Sequence, residues 1–274
     1  MRLHYDVTMP SGRGEIVRVI AVTNQKGGVA KTTSVINGGA ALAELERRVL
    51  VVDLDPQLSA TRWLAGPLDT RGLFDVLTGG EAPELVEQVV ATPVEGMDLI
   101  PGSRFLTGVE RAVSGQWTGP ESLLRRAVDE LPEDRWDVVL LDCPPTLGLV
   151  AVSALVAARE VLVPVEARVM ALDGLVSLLQ TLQQVREGTL NTDLGPAMIL
   201  PVRVDRTRLA RDVVDTLGDR LGEMLLTTRI RDSIRVAEAP SRHLAITQYA
   251  SGSSGAEDYR ALAAELITRV EVAA

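Results

Sequence analysis

A glycine-rich loop that carries both lysines of the chain is the feature that most constrains its fold. The loop lies between an apolar run at 16–22 and a helix-like run at 35–45. A loop in this setting directs backbone N–H groups and the positive end of a helix toward a bound anion. We therefore predict a strand, a phosphate-binding loop and a helix. The eight residues of the loop are Lys26, Gly27, Gly28, Val29, Ala30, Lys31, Thr32 and Thr33.

The loop departs from the ordinary phosphate-loop pattern G-x-x-x-x-G-K-[ST] at two positions. Gln25 stands at the first glycine position and Ala30 at the second. Because Ala30 carries a Cβ atom, we expect that this position does not need a positive φ angle.

The remaining residues of the loop have the chemistry that a nucleotide and its metal ion require. Gly27 and Gly28 let the backbone approach a phosphate closely. Lys31 is the cation expected at the β- and γ-phosphates, and the Thr32 hydroxyl is an expected Mg²⁺ ligand. All other basic residues of the chain are arginines. A compact ammonium fits a tight phosphate loop better than a planar guanidinium, so we expect both lysines to be functional.

Aspartates follow two apolar runs of the kind that form buried parallel strands. The runs, each with the aspartates that follow it, are VLVVDLDPQ at 49–57 and VVLLDCPP at 138–145. Ligands of open α/β sheets bind at the carboxyl ends of the strands. We predict that Asp142 holds Mg²⁺, directly or through water, and that Asp55 orients the attacking water. The alternative is that each aspartate only caps the next loop or helix.

At these residues the chain resembles the ParA/Soj family of partition ATPases, within a wider group that includes MinD and the nitrogenase iron protein. The resemblance covers nearly the whole chain from about Ile16 onward. It implies a P-loop NTPase fold, ATP and Mg²⁺ as cofactors, and Mg²⁺-dependent ATP hydrolysis. The motifs that carry it, besides the phosphate loop, are VVDLDPQ at 51–57, GLFDVLTG at 72–79, LLDCPPTLG at 140–148, VLVPV at 161–165, DRT at 205–207, EAPS at 238–241 and GAEDYRALA at 255–263.

The same resemblance implies an ATP-dependent homodimer in which two subunits meet face to face across the nucleotides. Lys31 would then contact ATP in its own subunit, and Lys26 would reach the partner's nucleotide. Two departures stand out: Ala30 in the loop, and the segment EARVM at 166–170, where the family usually has a Gln-Pro-Glu-Tyr-like stretch. The second changes residues to which the resemblance assigns dimer contacts, and it leaves the loop chemistry intact.

Composition favours a doubly wound, mostly parallel α/β sheet flanked by helices. Hydrophobic residues make up 46% of the 274 residues but aromatic residues only 3%, so Val, Leu, Ala and Ile must form the core. Helix-like stretches separate most of the strand-like runs, and 58–131 is predicted to be mainly helical. We expect one domain at 16–274 and a flexible tail at 1–15. The strand-like runs are 16–22, 48–53, 97–101, 136–141, 160–165 and 196–202.

Cysteine usage and hydropathy bear on the compartment. Cys143 is the single cysteine, which excludes a disulfide framework and the paired cluster ligands of a nitrogenase iron protein. The first fifteen residues lack an apolar segment, so we expect no signal peptide. The helix-like run at 255–272 is mixed to acidic, and a membrane-binding helix would be basic. We expect a cytoplasmic, nucleoid-associated protein that does not bind membranes.

The distribution of charge raises the question of DNA binding. The net charge is −9, yet the window 200–245 contains nine arginines and seven acidic residues, a local charge of +2. Such a window fits either a solvated helix face or a phosphate-binding face. The family resemblance implies non-specific binding of double-stranded DNA by ATP dimers, through Arg206 and Arg235. Weaker candidates are Arg203, Arg208, Arg231 and Arg242.

The leading hypothesis is a chromosome or plasmid partition ATPase that a ParB-like centromere-binding partner stimulates. One alternative is a ParA-like ATPase that positions another cargo, such as a chemoreceptor cluster or a protein shell, on the nucleoid. Others are a nucleotide-switched DNA-binding regulator and a small-molecule kinase, although the sequence has no separate lid or acceptor signature. The neighbouring gene would separate the first two hypotheses, and ATP turnover with DNA and partner would identify a regulator.

Overall fold

The computed structural model describes residues 17–80, 84–115, 119–168, 171–188 and 190–273, and the predicted tail at 1–15 lies outside them. Within these ranges, seven strands form one sheet in the order β3-β4-β2-β5-β1-β6-β7. Neighbouring strands are parallel, except that β3 is antiparallel to β4. The strands are β1 Arg18–Val22, β2 Val49–Asp53, β3 Val90–Ala91, β4 Met97–Ile100, β5 Val138–Asp142, β6 Glu160–Glu166 and β7 Ala197–Val202.

Helices accompany the sheet on both faces. The predicted C-terminal helix is confirmed as α11, and the helix after the phosphate loop as α1. Among the residues that the structure describes, the interval 58–131 contains four short α-helices but also β3 and β4. The helices in the described residues are α1 Lys31–Glu44, α2 Ser59–Ala65, α3 Gly72–Thr78, α4 Val109–Ala112, α5 Leu123–Asp129, α6 Leu149–Ala157, α7 Ala171–Glu187, α8 Arg208–Leu221, α9 Ile234–Glu238, α10 Ile246–Tyr249 and α11 Ser254–Ala273.

The expected doubly wound parallel sheet is confirmed, and the six predicted strand runs all coincide with strands. Only β3 was not predicted, because two residues are too few to show an alternation of apolar and polar side chains. The central strands are buried on both faces, and every residue of β2 and β5 is buried. This explains why they appear in the sequence as continuous apolar runs rather than alternating ones.

Two apolar layers, one on each face of the sheet, form the core. Val19 and Ala21 of β1 pack into the layer that includes α3, α5, α6 and α7. Ile20 and Val22, which point to the opposite face, pack into the layer that includes α1 and α11. This alternation follows from the two-residue period of a strand.

The order of the strands places the polar loops at one edge of the sheet. β1 lies between β5 and β6, and the chain passes from β1 to β2 on one side while β6 and β7 lie on the other. Val22 pairs with Asp142, and Asp53 also pairs with Asp142. The ends of β1, β2 and β5 therefore converge at a point where the winding direction of the sheet reverses, which is where open α/β sheets bind ligands.

None of the described helices combines the length and the apolar composition needed to cross a membrane. The longest, α11, packs against α1.

Two adjacent glycines in α1 allow a direct test of how closely this helix packs on the sheet. A Cβ atom on Gly39 would lie 2.9 Å from Met97 Sδ and 3.2 Å from Leu140 Cδ1, whereas one on Gly38 would meet only Leu262 Cδ2 at 3.7 Å. Alanine at either position gains about 1 kcal/mol of helix propensity. We expect Gly39→Ala to be less stable than Gly38→Ala by about 1–3 kcal/mol, the usual cost of overpacking. Urea denaturation of both variants measures the difference, and equal stabilities would contradict this packing.

Candidate nucleotide-binding site

The loop between β1 and α1 is fixed by its first polar residue. The Asn24 side chain donates from Nδ2 to the carbonyl oxygen of Pro164 at 2.7 Å, and its Oδ1 accepts from the backbone N–H of Lys26 at 3.0 Å. Asn24 is buried, so both bonds are shielded from water. The loop is thereby attached to β6 as well as to β1, which limits its freedom before any ligand binds.

The expectation that Ala30 needs no positive φ is wrong. Gly28 has φ +76°, and Ala30 has φ 59° and ψ 29°, in the left-handed region. An alanine adopts this conformation at a cost of about 1–2 kcal/mol. The conformation lets the carbonyl oxygen of Ala30 accept the first hydrogen bond of α1, from Ser34 N at 2.8 Å. The tight entry into the helix therefore requires the positive φ.

The N-terminus of α1 is suited to an anion from outside the helix. Its first turn contains no acidic residue, and no side chain of the described residues caps it. The N–H groups of a first helical turn have no partner within the helix and carry a partial positive charge. An oxyanion bound here would satisfy these groups and gain from the helix dipole.

Lys31 lies against the loop with its ammonium group partly buried. Its Nζ donates to the carbonyl oxygens of Asn24 at 3.1 Å and Lys26 at 3.3 Å. Burial lowers the pKa of Lys31, although the nearby carboxylates of Asp142 and Asp55 oppose this shift. A phosphate beside this ammonium would offset the effect of burial and favour its charged form, which is the role that the sequence predicts for Lys31.

Thr32 and Asp142 meet where the sequence predicted a metal site. The Thr32 hydroxyl donates to Asp142 Oδ2 at 2.7 Å. The second carboxylate oxygen, Oδ1, is buried and has no hydrogen-bond partner among the described residues. A buried oxygen without a partner costs free energy unless a ligand or water satisfies it. The pair therefore fits Mg²⁺, which prefers such oxygen donors.

The protein alone does not complete a metal site at this point. The described residues contain no group of three or more His, Cys, Asp or Glu side chains arranged to bind a metal ion. Mg²⁺ commonly binds through one or two protein ligands together with nucleotide phosphates and water. The arrangement accordingly fits a magnesium ion that enters with a nucleotide.

The structure distinguishes two aspartates that lie close together at the end of β2. Asp53 is fully buried, and its Oδ2 accepts from Thr61 N at 2.8 Å and Thr61 Oγ1 at 2.6 Å. Thr61 Oγ1 in turn accepts from Gly102 N at 2.8 Å. Asp53 thus connects β2, α2 and the loop after β4. Asp55 instead lines the open cleft, with Oδ1 accepting from Gln57 N at 2.9 Å, and it is the carboxylate available to a water molecule.

Burial also changes the acidity of the two strand-end carboxyl groups. Desolvation raises the pKa of Asp53 to about 6, against the opposing effect of its bonds from Thr61. Desolvation, together with the negative charge of Asp53, raises the pKa of Asp142 well above its usual range. Two ionised carboxylates side by side are unfavourable in a buried site without a cation.

A cleft of about 630 Å³ opens above the loop. This volume is within the range of small-molecule and cofactor sites. Six of the eight predicted loop residues line the cleft together with Asp55; they are Gly27, Gly28, Ala30, Lys31, Thr32 and Thr33.

Several residues of the cleft were not predicted as such. Arg62 on α2 and three residues from the C-terminal third of the chain, Arg203, Pro240 and His243, also line it. His243 Nδ1 lies 3.1 Å from Arg62 O and 3.0 Å from Trp63 O, which joins the turn after α9 to α2. No spacing in the sequence reveals this set, because the fold brings it together from distant segments.

Lys26 lies outside the cleft that contains Lys31. It lines a separate cavity of about 370 Å³, together with the buried Val29 and Glu166. Lys26 Nζ is 3.0 Å from Glu166 Oε2, and Arg203 Nη1 is 2.7 Å from Glu166 Oε1. The segment where the sequence departs from the family pattern therefore contacts the distinctive lysine directly.

The two predicted DNA-binding arginines lie on neighbouring segments. Arg206 is exposed in the turn after β7, and Arg235 is exposed on α9. A parallel bridge between Val204 and Arg231 joins these segments. Arg235 Nη1 lies 3.0 Å from Glu238 Oε2, so its charge is partly compensated.

Two of the weaker arginine candidates have structural partners instead. Arg231 Nη2 lies 2.6 Å from Asp258 Oδ1, and its backbone N–H bonds to the same carboxylate at 2.8 Å. Arg203 pairs with Glu166. Arg208 and Arg242 are exposed; Arg208 lies two residues after Arg206, and Arg242 lies seven residues after Arg235.

The raised carboxyl pKa values predict a pH-dependent effect of Asp142→Asn. A carboxyl group with a raised pKa in the folded state favours folding at low pH, and this contribution is lost as pH rises above the usual value of 3.8 and through the raised pKa of Asp142. Without nucleotide, we expect Asp142→Asn to be more stable than wild type at pH 8, by on the order of 1 kcal/mol or more, because asparagine stays neutral. At pH 4.5 this advantage should shrink.

Denaturation at both pH values, with and without ATP and Mg²⁺, measures the effect. We expect the wild type to gain more stability from ATP and Mg²⁺ than the variant does. A pH-independent difference, or equal stabilisation of both proteins by ATP and Mg²⁺, would contradict the assignment of Asp142.

Known proteins resemble this chain over almost its whole length. A family model described as an AAA domain (AAA_31) matches residues 17–195. The chromosome-partitioning ATPase Soj of Thermus thermophilus is 43% identical over 258 residues, which are 94% of this chain and 98% of that protein. The chromosome partitioning protein ParA of Caulobacter vibrioides is 38% identical over 257 residues, 92% of this chain and 95% of that protein.

A solved structure agrees with this fold. The protein described as cobyrinic acid a,c-diamide synthase from Mycobacterium smegmatis, with bound ATP analog and magnesium, is 36% identical with a TM-score of 0.79. The match covers 94% of this chain and 98% of that chain. The expected fold, family and ATPase class are confirmed: the chain belongs to the Soj/ParA family of chromosome-partitioning ATPases.

Proposed function

We propose that this chain is a partition ATPase that forms an ATP sandwich dimer, binds DNA without sequence preference and hydrolyses ATP when a ParB-like partner stimulates it. One observation carries the proposal: the two lysines of the loop line different cavities. Lys31 lines the nucleotide cleft, and Lys26 lines the cavity beside β6 and α7. A second cation that does not enter the cleft of its own subunit is available to the nucleotide of another.

The chain's own residues would bind the nucleotide in a defined way. Gly27, Gly28 and the first turn of α1 offer backbone N–H groups to the phosphates, and Lys31 offsets their charge. Thr32 and Asp142 would hold Mg²⁺, which when bound neutralises charge on the β- and γ-phosphate oxygens. The ATP analog and magnesium described for the M. smegmatis structure support this choice of ligands.

Dimerisation would depend on ATP because Lys26 gains a phosphate partner only across the interface. Its side chain is 53% exposed, so the ammonium can leave its present position without disrupting the core. A cation supplied by a second subunit stabilises negative charge on a transferring phosphoryl group, in the way of an arginine finger.

Asp55 is the residue we propose to orient the attacking water. It lines the cleft, whereas the carboxylate of Asp53 is occupied by Thr61. Its backbone N–H contacts Asp53 Oδ1 at 3.2 Å, which attaches it to the end of β2. A carboxylate on a fixed backbone can accept a hydrogen bond from water and direct it toward phosphorus.

DNA binding would use the exposed face around Arg206 and Arg235. One subunit offers few phosphate contacts, and a dimer doubles them and gains avidity. Binding would therefore follow ATP occupancy, and the acidic remainder of the chain would make it sensitive to salt. Such a protein would act in the cytoplasm on the nucleoid.

The chromosomal cargo is proposed from the names of the relatives, and the ParB-like partner and the plasmid cargo from the family resemblance. The runner-up is an ATPase of the same family that positions a different cargo on the nucleoid. It would use the same cleft and the same arginines, so the partner alone separates the two. Stimulation of ATP turnover by a purified ParB-like protein supports the first function. A protein that dimerises with ATP and binds DNA, but whose turnover that partner does not stimulate, supports the second.

Asp55→Ala should slow ATP hydrolysis without preventing ATP binding. Removing a group that positions the nucleophile costs about 100-fold or more in rate, while Lys31, Thr32 and Asp142 still bind the nucleotide. We expect ATP to be retained and the ATP dimer to accumulate, as measured by turnover assays and light scattering. Asp129→Ala, on an exposed part of α5, is the matched control and should behave like wild type. Normal turnover of Asp55→Ala would exclude this role.

Arg206→Ala should weaken DNA binding by the ATP dimer to every duplex sequence about equally. Each phosphate contact that is lost reduces the slope of log K against log salt by about one. Arg235→Ala should have a smaller effect, because Arg235 already pairs with Glu238. Anisotropy titrations at several salt concentrations, with ATP or ADP, measure both variants.

Arg126→Ala is the matched control for charge. Arg126 is exposed on α5, which packs against α3 and α6 rather than near β7. Arg126→Ala removes the same charge as Arg206→Ala does, and it should leave the slope of log K against log salt unchanged. If it weakens binding as much as Arg206→Ala does, the effect is one of net charge, and the DNA-binding face is wrong.

A further inference from the structure

Glu166, at the end of β6, is a nearly buried carboxylate surrounded by cations. Its side chain is 9% exposed. Oε2 is 3.0 Å from Lys26 Nζ, Oε1 is 2.7 Å from Arg203 Nη1, and Arg168 Nε lies 3.9 Å from Oε2. Burial by itself would raise the pKa of Glu166, but the hydrogen bonds from Lys26 and Arg203 outweigh it and hold the pKa below its usual range. Glu166 is therefore ionised at neutral pH.

The pair between Lys26 and Glu166 fixes the direction of the lysine. The first half of the loop also rests on α7, through a hydrogen bond of 3.2 Å from Gln25 Nε2 to Ser177 Oγ. In this arrangement the ammonium faces the cavity beside β6 and α7. To reach a phosphate elsewhere, Lys26 must first leave Glu166.

Arg203 lowers the free-energy cost of moving Lys26 away from Glu166. If Lys26 leaves, Glu166 Oε1 keeps its 2.7 Å contact with Arg203, so no buried charge is left unpaired. Loss of the only partner of a buried charge is strongly destabilising, whereas loss of one half-exposed partner among several is not. The contact can therefore open and close at small cost.

We propose that Glu166 is a positioning residue that holds Lys26 in the monomer and competes with the partner subunit's nucleotide for it. The inference rests on the proposed function, in which Lys26 contacts ATP across the dimer. The contact between Glu166 and Lys26 then sets the protein concentration at which ATP causes dimerisation. It is a feature of the segment 166–170, where this chain departs from the family pattern.

The expected size of the effect follows from the exposure of the pair. Half-exposed ion pairs change an equilibrium by a factor of about 1.4 to 5. Two lysines are released in each dimer, so the dimerisation constant should change by a factor of about 2 to 25.

Glu166→Gln tests the proposal because it keeps the shape and polarity of the side chain and removes its charge. With ATP and Mg²⁺, we expect the variant to dimerise at a 2- to 25-fold lower protein concentration than wild type, as measured by analytical ultracentrifugation. Glu160→Gln is the matched control: it lies at the other end of β6, pairs with Arg18 at 2.7 Å, and should leave dimerisation unchanged. Unchanged or weaker dimerisation of Glu166→Gln would overturn the proposal.

A second measurement examines Lys26 in the monomer, without nucleotide. The chain contains only two lysines, and Lys31 is buried, so peptide mapping after treatment with an amine-acylating reagent isolates Lys26. We expect Glu166→Gln to raise the labelling rate of Lys26 by a factor of about 1.4 to 5, with no change in Glu160→Gln. An equal rate in wild type and Glu166→Gln would mean that the lysine is not held, and the proposal would be wrong.

The Lys26→Ala background separates this proposal from the proposed function. If Glu166 acts through Lys26, Glu166→Gln should have no effect on the association state of Lys26→Ala; an equal shift in that background would overturn the proposal. The function itself fails separately, if wild type does not dimerise with ATP or if Lys26→Ala dimerises as well as wild type. In that case the labelling experiment still decides whether Glu166 holds Lys26.

Discussion

The hydrogen bond from Thr32 to Asp142 is the contact on which the rest of the site depends. It joins the first turn of α1 to the end of β5, in the middle of the sheet. Asp142 is buried beside Asp53, with one oxygen unpartnered among the described residues, and burial raises the pKa of its carboxyl group. A magnesium ion would give that oxygen a partner and favour the ionised carboxylate. Binding of a nucleotide with magnesium would therefore also stabilise this edge of the sheet.

The same edge separates residues that hold the site together from residues that face a ligand. The Asp53 carboxylate accepts two hydrogen bonds from Thr61, and this contact connects β2 to α2 and to the loop after β4. Asp55, two residues later, faces the cleft. A change at Asp53 should consequently act through the fold and a change at Asp55 through the chemistry. Arg203 belongs to both groups, because it lines the cleft and also pairs with Glu166.

The C-terminal third of the chain contributes to two surfaces at once. Pro240 and His243 line the nucleotide cleft, while Arg206 and Arg235 lie on exposed segments joined by the bridge between Val204 and Arg231. Arginines that the sequence presents as one group therefore separate into those with structural partners and those that face solvent.

The sequence by itself determined the fold class, the six main strands, and the identity of Lys31, Thr32 and Asp142 as neighbours. It did so because parallel strands buried on both faces appear as continuous apolar runs, and because their carboxyl ends must meet at one edge. It could not determine the backbone angle of Ala30, where the tight entry into α1 imposes a positive φ that the residue type does not suggest. Only the tertiary structure showed that Lys26 contacts Glu166, 140 residues away, and that Arg231 is bound to Asp258. Contacts between distant segments depend on how the strands are ordered and how the helices pack, and no local spacing in the chain records them.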